Sequence, residues 1–382
     1  MRELEVYLDN SATTRQLDEV TDLMTRVMRE DYGNPSSLHR RGMEAEKILK
    51  KARAATADAM GVSPGEVIFT SGGTESDNML IEGACETRKR YGNKIITSAV
   101  EHPAVLETFA RMEKAGFEAV YVGVDSEGFV DLEQMKSEID ENTILVSLMQ
   151  VNNETGSIQP VEEVAAMKGQ ALMHSDCVQS FCKMPLPLNG VDMIAVSGHK
   201  IHGPKGIGAA FVRKGVHMVP LLNGGGQEGA LRSGTENVPA VAGFGLAAQM
   251  MTESLEQDAA RMAEVRDYLR RGIEDQIADV KINTPEKNVA PGILNVSFLG
   301  TRGEVILHTL EQDGIYVSTG SACSSHKKGG SHVLKAMGLR NEEIEGALRF
   351  SLNRFHTTED MDFVLDKLKT AVQRFRKLGS FR

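Results

Sequence analysis

The chain has 382 residues, of which 41% are hydrophobic and 25% are charged, and its formal net charge is -10. This length favours two or three domains, and the composition is typical of a globular protein. The negative net charge argues against a nucleic-acid-binding surface. Residues 1–9 lack the apolar region of a signal peptide, and no apolar stretch is long enough to span a membrane. We therefore expect a soluble, cytoplasmic protein without membrane or nucleic-acid partners.

Strand-like apolar runs alternate with helix-period segments through most of the chain. The runs lie at residues 67–70, 94–97, 119–122, 144–148, 171–174, 193–196 and 208–212. Runs that are apolar on both faces are typical of a central, mostly parallel sheet. Amphipathic segments at 38–60 and 103–114 predict helices that cover the sheet faces. The predicted fold class is therefore α/β.

A glycine-rich turn with Gly73 and Thr74 follows the predicted strand at 67–70 and opens a helix. Glycines let the backbone approach a phosphate, and a helix amino end offers free N–H groups. The turn lacks the Gly-Lys-Ser/Thr of a P-loop and the three spaced glycines of a dinucleotide fingerprint, so a monophosphate cofactor fits best. Taken alone, the turn is more often a plain strand-to-helix connection with a threonine cap.

Three further polar side chains, His102, Asp176 and Lys200, follow predicted strands. Each alone has an ordinary explanation, as a structural histidine, a helix cap or a solvent lysine. Because α/β sheets bind ligands at the carboxyl ends of their strands, we expect the three to meet. Pyridoxal phosphate requires a lysine that bonds the cofactor and an acidic group at its pyridinium nitrogen. It also requires a phosphate-binding turn and a side chain that stacks on its ring. The sequence therefore predicts a pyridoxal phosphate site.

The pattern of predicted strands and helices changes in the last third of the chain. A single long helix is predicted at 238–271, and we interpret it as the connector between two domains. Strands at 293–298 and 347–352 and a last helix that opens near residue 357 indicate a smaller α+β domain. We predict a large cofactor-binding domain at residues 15–250 and a small domain formed by 1–14 and 251–382. The strand pattern alone places Arg349 on the surface.

Cys323 lies among small and hydroxylated residues and precedes a basic run at 326–328. Cysteines kept for packing usually have apolar neighbours, whereas reactive thiols are partly exposed near positive charge. The sequence predicts a reactive thiol on a loop of the small domain. The other cysteines, Cys85, Cys177 and Cys182, are interpreted as reduced thiols, because four cysteines without a C-x-x-C pair form no disulfide framework.

Ordered motifs give the chain a full-length resemblance to the cysteine desulfurases of the NifS/IscS family, long-loop group. The motifs lie at residues 9–14, 32–37, 71–75, 101–102, 151–156, 174–176, 198–200, 232–237 and 321–323. The resemblance implies a fold-type I, aspartate-aminotransferase-like fold, with a mostly parallel seven-stranded sheet in the large domain. It implies a transferase that uses pyridoxal phosphate to convert L-cysteine to L-alanine and leaves a persulfide on Cys323.

The resemblance also implies roles for individual residues. Lys200 bonds the cofactor and removes the Cα proton, His102 stacks on the ring, and Asp176 binds the ring nitrogen. Gln179 contacts the ring hydroxyl. The phosphate is held by Gly73, Thr74, Ser197 and His199, and by Thr235 of the other subunit of a homodimer. The substrate is bound by Asn34, Asn153 and Arg349.

The implied partners are L-cysteine, a second copy of the chain, and a sulfur acceptor. An iron–sulfur scaffold protein is one such acceptor, with Cys323 in contact with a nascent cluster, and tRNA thiolation is another destination. No resident metal is expected. Two departures from the family pattern are Cys177, where alanine is more usual, and the end of the chain at Arg382 without the longer tail that some members use to dock scaffolds.

Two alternatives stay open. One is another fold-type I enzyme, such as a selenocysteine lyase or an aminotransferase, and an aminotransferase has no need of Cys323. The other is a sulfur-carrier or metal-binding assembly protein that uses the cysteines and nearby histidines as ligands, for which the C-x4-C spacing of Cys177 and Cys182 is weak support.

Overall fold

The computed structural model describes residues 5–320 and 330–379. Its strands are β1 (Val6–Tyr7), β2 (Val67–Thr70), β3 (Lys94–Ser98), β4 (Glu118–Val122), β5 (Thr143–Ser147), β6 (Leu172–Asp176), β7 (Met193–Ser197), β8 (Gly208–Val212), β9 (Val280–Ile282), β10 (Ile293–Phe298), β11 (Ile315–Tyr316) and β12 (Ala347–Ser351). Its helices are α1 (Asp18–Glu30), α2 (Arg40–Met60), α3 (Gly73–Arg88), α4 (Pro103–Lys114), α5 (Leu132–Glu138), α6 (Val161–Met167), α7 (Val238–Thr252), α8 (Leu255–Gln276), α9 (Gly303–Gln312), α10 (His332–Ala336), α11 (Asn341–Glu345) and α12 (Thr358–Gly379).

A seven-stranded sheet in the order β2-β8-β7-β6-β5-β3-β4 forms the centre of the larger part. Strands β3 to β7 run parallel, and β8 is antiparallel to both of its neighbours. β2 therefore runs in the same direction as β7, so the carboxyl ends of β2, β3, β5, β6 and β7 share one edge. The predicted α/β class and the mostly parallel seven-stranded sheet are confirmed.

Alternate residues of each inner strand enter different apolar clusters on the two sheet faces. In β7, Ile194 and Val196 pack with side chains of α2 and α7, whereas Met193 and Ala195 pack with side chains of α3 and α4. Every residue of β7 is buried. This two-sided burial explains why the strands read as continuous apolar runs rather than as alternating ones.

The helix predicted at 238–271 is two helices, so the prediction of a single connector helix is wrong. α7 ends at Thr252 and α8 begins at Leu255. Ser254 precedes α8 in a non-helical conformation, and its Oγ donates to Asp258 Oδ2 at 2.6 Å. The break lets the two helices pack on different partners, since α7 contacts α1 and α2 while α8 contacts α12. The domain boundary at residue 250 stays a prediction.

The C-terminal part has its own sheet, in which β10 lies between β12 and β9 and is antiparallel to both. Its apolar core joins α8, α9 and α12 with two residues from the start of the described chain, Val6 and Leu8. β1 pairs in parallel with β11, which brings that segment to the C-terminal part. Within residues 5–320 and 330–379, no helix has both the length and the apolar character needed to cross a membrane.

Candidate active site

The predicted site residues gather at the shared carboxyl edge of the large sheet. The strands lead into this edge as follows: β2 into Gly73, β3 into His102, β5 into Asn153, β6 into Asp176, and β7 into Ser197 and Lys200. The connections after parallel strands run over this edge, where ligands of open α/β sheets bind. The sequence-based expectation that these residues lie together rested on the same topology.

Lys200 ends a short 3-10 turn that directly follows β7. Its Nζ donates to the main-chain carbonyls of Ser11 and Ala12, the latter at 2.8 Å. The amide of Gly198 donates to the carbonyl of Ile207 at 3.0 Å, which fixes the start of the turn. The lysine is half-buried and held at the strand end, so it is not the free solvent lysine of the alternative interpretation.

Asp176, which is buried, and His102, which is half-buried, are neighbouring titratable groups near Lys200. Burial raises the pKa of Asp176. The amide of Val178, which donates to Asp176 Oδ1 at 2.9 Å, and the charge of Lys200 oppose that rise, as the charge of a protonated His102 would. Burial lowers the pKa of His102, and the charge of Lys200 lowers it further. The net effect is a pKa of Asp176 above its ordinary value, while the lowered pKa of His102 keeps that imidazole neutral at pH 7.

His102 also caps α4, because its Nδ1 accepts from the amide of Ala104 at 3.1 Å and Pro103 occupies the first helical position. An accepting Nδ1 in a neutral imidazole places the proton on Nε2. The capping bond fixes the ring orientation at the end of β3. The histidine is thus both a helix cap and a neutral ring facing the cluster charges.

The predicted phosphate site lies between the amino end of α3 and the end of β7. Ser197 Oγ is buried and has no hydrogen-bond partner among the described residues. A Cβ on Gly73 would lie 2.6 Å from Val178 Cγ2, so the close approach of α3 to the neighbouring turn requires glycine here. Thr74 is exposed in the first turn of α3. Free amides and an unpaired hydroxyl are suited to bind an anion.

His199 and Gln179 complete the polar lining. His199 Nδ1 is hydrogen-bonded to Thr13 Oγ1 at 3.2 Å, and burial with the charge of Lys200 lowers the pKa of His199 to about 4. Gln179 Nε2 donates to the carbonyl of Ser11 at 2.9 Å. Its Oε1 is buried without a partner in the described part of the chain. Gln179 therefore has an acceptor that is available to a ligand hydroxyl.

Arg349 is 2% exposed, so the strand pattern that placed it on the surface is wrong. Its guanidinium donates to Asp9 Oδ1 at 2.7 Å and to the main-chain oxygen of Asn153 at 2.9 Å. β12 pairs with β10 and also forms bridges to Asp9 and Ser318, so Arg349 has neighbours from three parts of the chain. Nε of Arg349 has no partner among the described residues. The cation lies beside Asn153 with donor capacity left for a carboxylate.

Two predicted residues, Asn34 and Thr235, are exposed, and a third, Cys323, is not among the described residues. Asn34 is exposed between α1 and α2, where its Oδ1 accepts from the amide of Ser36 at 2.9 Å. Thr235 is exposed before α7. Cys323, with its basic run at 326–328, lies outside the described residues. The roles of all three stay predictions.

A buried polar pair beneath the site was not predicted. His174 Nδ1 is hydrogen-bonded to Ser147 Oγ at 2.8 Å, and its Nε2 lies 3.4 Å from Asp77 Oδ1. Burial lowers the pKa of His174 to about 3 and raises that of Asp77 well above its usual range, to which the charge of Asp176 adds. The signal was present in the sequence, since Asp77 interrupts the apolar face of α3.

Comparison with known proteins agrees with this geometry. The aminotransferase class-V family model matches residues 6–364. The chain is 42% identical to a cysteine desulfurase IscS of Dictyoglomus turgidum, across 99% of this chain and 97% of the relative. It is 43% identical to a cysteine desulfurase IscS of Methanosarcina thermophila, across 98% of this chain and 93% of the relative. A solved NifS-like protein superimposes with a TM-score of 0.91 at 42% identity, covering 97% of this chain and all of that one.

Proposed function

Because the chain belongs to the aminotransferase class-V family and has cysteine desulfurases as full-length relatives, we propose that it takes the sulfur from L-cysteine and releases L-alanine. The observation that carries the proposal is the meeting of Lys200, Asp176 and His102 at one sheet edge, beside the buried cation of Arg349. A lysine, a buried acid and a neutral ring suit amino-acid chemistry with pyridoxal phosphate, and Arg349 suits the carboxylate of an amino acid.

The residues at the edge fit pyridoxal phosphate. Ser197 Oγ and Gln179 Oε1 are buried without partners in the described part of the chain, although buried polar atoms normally have one. A phosphate held by the amino end of α3, Ser197 and His199 would satisfy the first atom, and a ring hydroxyl would satisfy the second. When bound, the cofactor supplies an electron sink that stores the electron pair left on the substrate Cα.

Three residues have separate parts in the proposed reaction. Lys200 Nζ, positioned by the carbonyls of Ser11 and Ala12, removes the proton from Cα of the substrate. Asp176 would keep a proton at the ring nitrogen of the bound cofactor, because a positive charge at that nitrogen would favour the ionised carboxylate. His102 covers the ring as a neutral imidazole, which its lowered pKa ensures at pH 7.

In the proposed reaction, Arg349 and Asn153 bind the carboxylate of the substrate. The ion pair with Asp9 and the bond to the carbonyl of Asn153 hold the guanidinium in one orientation. A fixed guanidinium loses little freedom on binding, so it orients an incoming carboxylate efficiently. The proposal therefore assigns L-cysteine, an amino acid with a free carboxylate, as the substrate.

The proposed nucleophile is Cys323. Its thiolate forms a bond to the sulfur of L-cysteine while the Cβ–S bond of the substrate breaks. The electron pair of the broken bond stays with the substrate, where a proton completes the methyl group of alanine. One L-cysteine and one thiol thus give one L-alanine and one persulfide, and no external oxidant or reductant is needed.

Steady-state release of alanine from L-cysteine tests the proposal. Wild-type protein supplied with pyridoxal phosphate is expected to release alanine, and Cys323→Ala is expected to release none beyond background. Cys85→Ala, which removes a buried thiol far along the chain, is the matched control and is expected to keep the wild-type rate. Alanine release at the wild-type rate by Cys323→Ala would overturn the persulfide mechanism, and turnover of L-selenocysteine alone would favour a selenocysteine lyase.

We also propose that the protein is a homodimer in the cytoplasm. Met28, Tyr32, Leu38 and Met43 are exposed large apolar side chains around the connection between α1 and α2, and Leu38 is 96% exposed. Such a patch is typical of an interface. Light scattering is expected to give twice the 41.6 kDa of one chain. A monomeric mass at micromolar concentration would contradict the dimer.

The persulfide needs an acceptor, and we propose an iron–sulfur scaffold protein or another carrier for sulfur cofactors or tRNA thiolation. The basic run at 326–328 beside Cys323 supports an acidic acceptor surface. Transfer of radiolabelled sulfur from loaded enzyme to a purified scaffold protein is the direct test. Sulfur that stays on the enzyme in the presence of every acceptor offered would contradict transfer to these classes.

A further inference from the structure

The two ends of the segment 321–329 meet at one carboxylate oxygen. On the amino-terminal side, a Cβ on Gly320 would lie 3.1 Å from Glu154 Oε2. On the carboxyl-terminal side, Ser331 Oγ donates a hydrogen bond to the same oxygen. Gly320 also has a φ of +83°, a conformation that glycine adopts readily. The carboxylate of Glu154 therefore lies beside the residue just before the segment that carries Cys323 and is hydrogen-bonded to a residue just after it.

Glu154 is fixed in place by neighbours that do not belong to that segment. Its amide donates to Asn152 Oδ1 at 2.9 Å, and Asn295 Nδ2 donates to its carbonyl oxygen at 3.2 Å. Asn152 Nδ2 donates in turn to the carbonyl of Val100 at 2.9 Å. Glu154 itself is 3% exposed. The backbone of Glu154 is thus hydrogen-bonded at its amide and at its carbonyl, which makes this buried residue a fixed anchor.

The same anchor lies next to the proposed substrate site. Glu154 follows Asn153, whose carbonyl accepts from Arg349 at 2.9 Å. The main chain of Arg349 pairs with Ser318, the residue two positions before Gly320, with N–O distances of 3.1 and 2.6 Å. The chain therefore approaches segment 321–329 along the residue expected to bind the substrate carboxylate.

The chain that follows segment 321–329 is hydrogen-bonded to the large sheet region at a second point. His332 Nε2 donates to the carbonyl of Glu101 at 3.0 Å, directly before His102. Ser331 Oγ accepts from the amide of Leu334 at 3.1 Å, so it caps α10 while it donates to Glu154. The bond to Glu154 thus joins the start of α10 to the substrate side of the large sheet.

We propose that Glu154 is a positioning residue for sulfur transfer, which sets where the chain enters and leaves the segment that carries Cys323. The inference rests on the proposed function, because the affected step is the one in which Cys323 takes the substrate sulfur. Glu154 acts through the ends of the segment, and it is not needed to bind L-cysteine or the cofactor. A displacement of about 1 Å in reacting groups costs on the order of 100-fold in rate.

Single-turnover kinetics on the cofactor-loaded enzyme separate this role from binding. Glu154→Ala is expected to slow persulfide formation on Cys323 by about 10- to 100-fold, while the apparent Kd for L-cysteine changes by less than about twofold. Ser331→Ala is expected to slow the same step. The double variant is expected to be no slower than Glu154→Ala, because both substitutions remove one shared bond.

Two further variants serve as controls. Glu154→Gln is expected to recover most of the rate, since the amide oxygen can accept the same bond from Ser331. Glu163→Ala removes an exposed carboxylate of α6 in the same part of the chain and is expected to keep the wild-type rate. The cofactor absorbance and the melting temperature of each variant report whether the fold is intact.

Several results would overturn the inference. Equal persulfide rates in wild type and Glu154→Ala would do so, and so would independent, multiplicative effects of Glu154→Ala and Ser331→Ala. If Glu154→Ala does not fold, a wild-type rate in the Ser331→Ala protein would overturn the inference in its place. Absence of persulfide in the wild-type protein would instead refute the proposed function, so the two failures are distinguishable.

Discussion

Replacement of Glu101 by glutamine is expected to make the fold less sensitive to alkaline pH. Glu101 is fully buried, and its Oε1 accepts from Ser98 Oγ at 2.8 Å and from the amide of Met149 at 2.9 Å. Its Oε2 has no partner among the described residues. Burial raises the pKa of Glu101 from an ordinary value near 4.5 to about 8, and the charge of Asp176 adds to the rise.

The size of the effect follows from the two pKa values of Glu101. A carboxyl whose pKa is higher in the folded state binds its proton more tightly there, so ionisation opposes folding. Below pH 4.5 both states are protonated and nothing is lost. As pH rises from 4.5 to about 8, the folded state loses about 1.4 kcal/mol per pH unit. The complete loss is on the order of 5 kcal/mol, of which about 3 kcal/mol falls between pH 6 and pH 9.

Thermal unfolding followed by circular dichroism at pH 6 and pH 9 measures this loss. Glutamine keeps the acceptor for Ser98 and Met149 and does not ionise. The stability of Glu101→Gln relative to wild type is therefore expected to rise by about 3 kcal/mol between the two pH values, or about 4 °C in Tm for a chain of this length. Glu163→Gln, an exposed control, is expected to show no such change. A relative stability of Glu101→Gln that is the same at both pH values would refute the reasoning.

Three further predictions concern the site itself. Asp176→Asn is expected to keep bound cofactor but to lose at least about 100-fold in alanine formation, because a neutral amide cannot stabilise a positive ring nitrogen; full activity in the alanine assay would contradict this. Arg349→Ala is expected to raise KM for L-cysteine by about 10- to 100-fold and to lower Tm, since Asp9 loses its partner; an unchanged KM would rule out the carboxylate role. Gly73→Ala is expected to weaken cofactor affinity in a titration, since its Cβ would lie 2.6 Å from Val178 Cγ2, and an unchanged affinity would argue against a phosphate there.

The elements that the sequence predicted well are those with a local cause. Inner strands such as β7 are apolar on both faces, and the start of α4 has Pro103 at its first position, so their bounds follow from neighbouring residues. The edge strand β4 is mostly accessible, yet its apolar run was still a sufficient signal. Parallel pairing then brings residues after separate strands to one edge, which is why His102, Asp176 and Lys200 were grouped correctly from the sequence.

The features that the sequence did not predict depend on distant contacts. The buried side chain of Arg349 is paired with Asp9, which lies 340 residues away in the chain, and a local sequence pattern does not indicate such a partner. The break between α7 and α8 reflects their packing on different helices, which helix periodicity does not encode. The proximity of Asp77 to His174 joins a helix to a strand across a sheet face. Each of these needed the tertiary structure.

Peptide mapping by mass spectrometry after incubation with L-cysteine is the most direct test of the proposed sulfur transfer. We expect an added mass of about 32 Da, one sulfur atom, on Cys323 of the wild-type protein. The same addition is expected to be absent from Lys200→Ala, which lacks the amine that removes the Cα proton. Sulfur found on Cys177 or Cys182 instead, or on Cys323 at the wild-type level in Lys200→Ala, would contradict the proposed mechanism.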